Sequence, residues 1–256
     1  MNDLSKKDWA ELIGTAGLIY LAAPVLMLAG LLGAGGPVGA PLAFVLALPF
    51  FLMYMVFHKV SGGHFNPAIS IAMWMAGKMD KDSAMRYVTM QGIGAAAGAV
   101  LFYVTMVAFS DFKSWDLPNL GLAVGKGHVG IILHEAVFTA LFVFVYMYIA
   151  ANKEEIKFKA GTIMVAMMIL GLFGAMMPTV MNPIIALLVG LLSGGDGIVA
   201  ALLLVVGAGG GAYLASMVWG IFNAEDKPAA AYTPPAADPT PPPADNTSDG
   251  SDDHAQ

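Results

Sequence analysis

No cysteine occurs in the 256 residues, which excludes a disulfide framework and any thiolate metal site. Charge is scarce too: Asp, Glu, Lys and Arg make up 12% of the chain against 58% for the hydrophobic types. A soluble domain carries about twice that share of charge, so the composition points to lipid as the solvent. Catalytic constellations are missing as well. No nucleophile stands with a base, and neither a phosphate-cradling loop nor a pair of catalytic carboxylates is present, which argues against an enzyme. His58, His128 and His134 lack metal-ligand spacing, and His134-Glu135 lacks the second histidine of a zinc motif. Neither a metal nor a cofactor is expected.

The net charge of −6 has a single source. Residues 225–256 hold seven acids and one base, Lys227, and the rest of the chain is balanced. No nucleic-acid partner follows from such a distribution. The terminal stretch, TPPAADPTPPPADNTSDGSDD, has too little apolar surface to fold and reads as a disordered, acidic, Pro/Ala-rich cytoplasmic tail. Residues 1–224 read as the membrane domain.

Six apolar stretches are long enough, or nearly so, to cross about 30 Å of hydrocarbon. They cover approximately 9–34, 41–57, 87–110, 130–151, 160–176 and 198–222. Two shorter pieces, 66–77 and 182–193, reach only halfway. With the N-terminus inside, Lys6, Lys7, Lys59, Lys78, Lys81, Arg86, Lys153, Lys157, Lys159 and Lys227 fall in the cytoplasm, and only Lys113 and Lys126 fall outside. That asymmetry makes both termini cytoplasmic in a multi-pass protein of the plasma or inner membrane.

The two halves match. Glu11-x-x-x-Thr15 opens the first span and Glu135-x-x-x-Thr139 the fourth, and each half carries an Asn-Pro pair, Asn66-Pro67-Ala68 and Asn182-Pro183-Ile184. Each repeat, about 8–110 and 128–223, is therefore span, span, half-span, span. Three spans being odd, the second repeat lies inverted in the membrane. Asparagine caps helices well and proline suits the first helical position, so both half-helices start near the midplane and face each other. The irregular stretch before the first of them, Ser61 to Phe65, must then be buried or line a wet cavity. Its carbonyls at Gly62, Gly63, His64 and Phe65 are candidate acceptors along a passage. Glu11 and Glu135 are expected to support the inserted loops, since an unpaired carboxylate inside a membrane costs about 2.5–3.5 kcal/mol.

SGGHFNPAIS at 61–70, with Glu11, Gln91 in the third span and a second Asn-Pro in the opposite half, resembles the major intrinsic protein family of aquaporins and aquaglyceroporins. The resemblance covers about residues 8–223. It implies an all-α bundle of six tilted transmembrane helices and two re-entrant half-helices, assembled as a homotetramer in the bilayer with one pore per protomer. It also implies a passive channel for water or other small uncharged solutes, with ions excluded at the paired Asn-Pro caps. The second motif departs from the family pattern, since Asn182-Pro183-Ile184-Ile185 has Ile185 where the family usually has arginine. Counting from the two asparagines, the outer selectivity filter falls on Leu46, Leu170, Thr179 and Ile185. An apolar filter leaves two alternatives open: a channel for ammonia, glycerol or gas, and a non-conducting structural protein of the same fold. An ion-coupled transporter is disfavoured, because the two repeat-related glutamates are the only acids at midplane depth. Gly94-x-x-x-Gly98 and Gly207-x-x-x-Gly211 are expected at close helix contacts.

Overall fold

Ser5 and Asp8 close the start of the first helix. The Asp8 carboxylate accepts from the Ser5 N–H at 2.9 Å and the Ser5 hydroxyl accepts from the Asp8 N–H at 3.3 Å, a reciprocal cap for α1, Lys6–Leu31. The computed structural model describes residues 4–31, 39–109, 128–151, 156–173, 179–193 and 195–223. Among them lie seven further helices and no strand: α2, Gly39–Ser61; α3, Pro67–Met75; α4, Lys81–Phe109; α5, His128–Ala151; α6, Ile156–Phe173; α7, Pro183–Ser193; and α8, Asp196–Phe222. Met1–Ala224 forms one compact unit. The expected tail, 225–256, lies outside the described residues.

The architecture is six long helices and two half-length ones, as expected. Among the described residues three helices, Lys81–Ala108, His128–Ala151 and Asp196–Phe222, are long and apolar enough to cross a membrane by length and composition alone. Their outward faces carry Val100, Leu101, Val104, Val129, Leu133, Leu202 and Val206 in the open, while Glu11, Gln91 and Glu135 are wholly buried. Apolar outside and polar inside is the arrangement that a hydrocarbon solvent selects.

Packing follows the repeat. Helix α1 packs on α2 and α4 just as α5 packs on α6 and α8, and across the repeats α2 meets α6, α3 meets α8 and α4 meets α7. Glycines set the tightest crossings. A Cβ on Gly94 or Gly98 of α4 would collide with the carbonyls of Leu12 and Ala16 on α1. A Cβ on Gly211 of α8 would lie 2.6 Å from the Ala136 carbonyl oxygen of α5, and one on Gly207 would lie 2.8 Å from that of Ile132. These crossings fix how deeply Glu11 and Glu135, on the same faces, reach into the protein.

Candidate functional site

Each half-helix is entered through a backbone turn that ordinary residues avoid. Phe65 has φ +47° and Met181 φ +55°, each immediately before its asparagine. Such left-handed residues cost roughly 1–2 kcal/mol apiece and persist where surrounding structure over-determines them. Here the surroundings are the two glutamates. Glu11 accepts from the N–H groups of His64 at 3.0 Å and Phe65 at 2.7 Å, from the Ser61 hydroxyl at 2.7 Å and from the Gln91 amide at 2.8 Å. Glu135 accepts from the N–H groups of Val180 at 2.9 Å and Met181 at 2.7 Å, and from the hydroxyls of Thr179 at 2.6 Å and Thr139 at 3.4 Å. In both repeats the carboxylate takes the same two backbone donors, those one and two residues before the asparagine.

The asparagines then join the two tips. Asn66 Oδ1 accepts from the Ala68 N–H at 2.9 Å and Asn182 Oδ1 from the Ile184 N–H at 3.2 Å, so each side chain caps its own half-helix. Their amide groups cross over. Asn66 Nδ2 donates to the Met181 carbonyl at 2.7 Å, and Asn182 Nδ2 donates to the Phe65 carbonyl at 3.1 Å. Each bond ties one repeat's cap to the other's strained turn. A primary amide has two N–H groups, so one hydrogen on each asparagine remains beyond this brace.

The first loop is further gripped by aromatic side chains. Tyr87 donates to the Ser61 carbonyl at 2.9 Å and Tyr146 to the Gly62 carbonyl at 2.7 Å, with His58 Nδ1 also 3.2 Å from that oxygen. The His64 ring lies between Tyr87 and Tyr146, 5.2 and 5.8 Å from their ring centres, and its Nδ1 is 2.9 Å from Ser70 Oγ. Ser70 in turn accepts from Gln91 at 3.1 Å. Of the four carbonyls expected along a passage, those of Gly62 and Phe65 are thus engaged, while those of Gly63 and His64 accept no hydrogen bond among the described residues. Sequence reasoning missed Tyr54, Tyr87 and Tyr146, because nothing in an apolar helix marks which tyrosine meets a loop distant in sequence.

The expected filter positions are less uniform. Ile185 lies at the start of α7, 3% exposed, within the apolar core, and Leu170 on α6 is half-buried against that core. The Thr179 hydroxyl points to Glu135, so any contribution of that residue to a filter falls to its other atoms. Leu46 lies on α2, and its side chain is outside the described residues. Pro67, Ala68 and Pro183 are buried at the half-helix starts, and Ile184 is half-buried beside them. Among the described residues no group of three His, Asp or Glu side chains is placed to hold a metal ion.

Comparison with known proteins agrees with this geometry. The family model for the major intrinsic protein matches residues 2–219. The chain is 31% identical over 151 residues to glycerol uptake facilitator protein-like 6 of Lactiplantibacillus plantarum, a match covering 57% of this chain and 64% of that one. It is 32% identical over 149 residues to aquaporin Z of Photorhabdus laumondii, covering 55% and 63%. The matches thus span a little under two thirds of these relatives' lengths. Among solved structures, the aquaglyceroporin from Plasmodium falciparum aligns over 84% of this chain and 94% of its own with a TM-score of 0.68, at 21% identity, a likeness of fold.

Proposed function

The chain belongs to the major intrinsic protein family, is an integral membrane protein, and on that premise we propose that it is a passive channel for water and other small uncharged solutes. The observation that carries the reading is the cross-braced pair of caps, Asn66 to Met181 and Asn182 to Phe65. It brings two helix N-termini together, each equivalent to roughly half a positive charge. A cation or hydronium ion meets repulsion there, and a neutral solute does not. The remaining amide hydrogens of Asn66 and Asn182 donate to the oxygen of a passing molecule, and the free carbonyls of Gly63 and His64 accept from it. Glu11 and Glu135 hold the loops that present these groups.

At the second asparagine the family's usual arginine is replaced by Ile185. The filter proposed at Leu46, Leu170, Thr179 and Ile185 therefore lacks a fixed charge and leaves ion exclusion to the paired caps. Water is the leading permeant, with glycerol, ammonia and dissolved gas as competitors for an apolar outer mouth. A homotetramer with both termini in the cytoplasm, the acidic tail 225–256 included, is the assembly we propose.

A second reading has its own support. Asn66, Asn182 and Ile185 are each no more than 5% exposed, which leaves little water-sized room beside them, and an apolar constriction closes by dewetting. Swelling of proteoliposomes under sorbitol, glycerol and ammonium gradients separates the readings. Acceleration over empty liposomes for at least one solute is expected, and none for any solute would leave the non-conducting protein.

A further inference from the structure

One polar group beside the first loop is used neither by the carboxylate supports nor by the asparagine brace. Tyr54 on α2 is wholly buried, and its hydroxyl has no hydrogen-bond partner among the described residues. The ring is tightly placed. It stacks on Phe50 at 6.2 Å, lies 4.5 Å from the His58 ring and meets Tyr146 edge-on at 6.2 Å. Its edge closes on Gly63, where a Cβ would sit 2.9 Å from Tyr54 Cδ2. Phenylalanine would satisfy every one of these ring contacts. The neighbouring phenols are satisfied, Tyr146 by the Gly62 carbonyl and Tyr87 by that of Ser61. Three tyrosines thus surround one loop, and only the one against Gly63 keeps a free hydroxyl.

We propose that Tyr54 is a specificity-determining residue of the passage, its hydroxyl exchanging hydrogen bonds with hydroxylic permeants, water and small polyols, on the first-loop side of the asparagines. The inference rests on the channel reading above. Most buried polar groups in native proteins are partnered, by protein or by water, and this hydroxyl has no protein partner among the described residues, which leaves it to water or to a passing solute. A phenol both donates and accepts, which suits a hydroxylic solute and is of no use to an apolar gas. Ile185 and Leu170 at the outer positions carry only hydrocarbon, so the Tyr54 hydroxyl adds to the polar groups proposed at the asparagines rather than to the outer filter.

The test uses the full chain in proteoliposomes, with stopped-flow measurement of water, glycerol and carbon dioxide entry for wild type and Tyr54→Phe. Water and glycerol permeability are expected to fall about fivefold, the factor carried by one hydrogen bond of modest strength, with carbon dioxide entry unchanged. The melting temperature of Tyr54→Phe in detergent is expected to equal or exceed that of wild type, since an orphaned buried hydroxyl has been removed. A conducting wild type whose water and glycerol rates are untouched by Tyr54→Phe overturns the role of Tyr54 and leaves the channel standing. A fall in permeability matched by a fall in melting temperature overturns it also. A wild type inert to every solute overturns both.

Discussion

At the residue scale, the two glutamates decide whether the site exists. Phe65 and Met181 hold their left-handed turns because a carboxylate takes the N–H of each strained residue and that of its predecessor. Removing one carboxylate orphans two buried backbone donors at about 1–3 kcal/mol each. Glu135→Ala is therefore expected to lower the melting temperature of the detergent-solubilised protein markedly. Glu135→Gln, whose amide oxygen still accepts, is expected to lie between it and wild type. Equal melting for Glu135→Ala and wild type would mean the loop is held by other contacts. The two glutamates stood out in the sequence because a repeated Glu-x-x-x-Thr is rare inside a membrane span. The threonine half of that signal divides in the structure: Thr139 approaches Glu135 at a weak 3.4 Å, whereas the Thr15 hydroxyl has no partner among the described residues. Gln91, from another helix, completes the coordination of Glu11 instead.

At the scale of elements, hydropathy located every helix and misjudged several ends, for a physical reason. Apolar runs record where the chain touches lipid, whereas helices end where backbone hydrogen bonds are capped. Helix α4 begins at Lys81, six residues before the expected 87, because the Asp80 carboxylate accepts from the Ser83 N–H at 2.8 Å and starts the helix in polar sequence. Helix α2 continues past the expected 57 through His58 and Lys59 to Ser61. The half-helices were clearer, since Asn-Pro marks both cap and first turn. The glycine pairs do fall at tight crossings, and their positions in contact rather than their number are what constrain substitution. Gly211→Val would drive a side chain into the Ala136 carbonyl and is expected to abolish folded protein in size-exclusion chromatography. Gly209→Ala, on the same helix with nothing within 4 Å of the added carbon, is expected to be tolerated and to stabilise by about 0.5–1 kcal/mol in a thermal melt. Reversed outcomes would mean that α8 meets α5 through another face.

At the scale of the whole molecule, inversion makes two weak signals into one site. Neither Asn-Pro pair alone builds the proposed passage, but an odd number of spans per repeat inverts the second half-helix relative to the first, and the Asn66 and Asn182 amides bind across the point where the two caps meet. The sequence could not place the aromatic grip on the first loop, because Tyr54, Tyr87 and Tyr146 come from three helices in both repeats and converge only after folding. The outer filter is where sequence and packing pull apart. Counting from Asn182 sets Ile185 where a family arginine would stand, and the structure packs that isoleucine into the apolar core at 3% exposure. Glu135, the carboxylate that holds the loop before Asn182, already accepts four hydrogen bonds and is not free to pair with a guanidinium there. An arginine is stable only if its long side chain reaches a wet passage with the charge exposed, because burying it unpaired costs several kcal/mol. Ile185→Arg thus tests both facing and selectivity. If the position faces the passage, the variant elutes as folded protein, and glycerol and ammonia entry fall relative to water as the added bulk and charge narrow the mouth. If the variant aggregates, or folds with an unchanged ranking of solutes, residue 185 belongs to the core and not to the proposed filter.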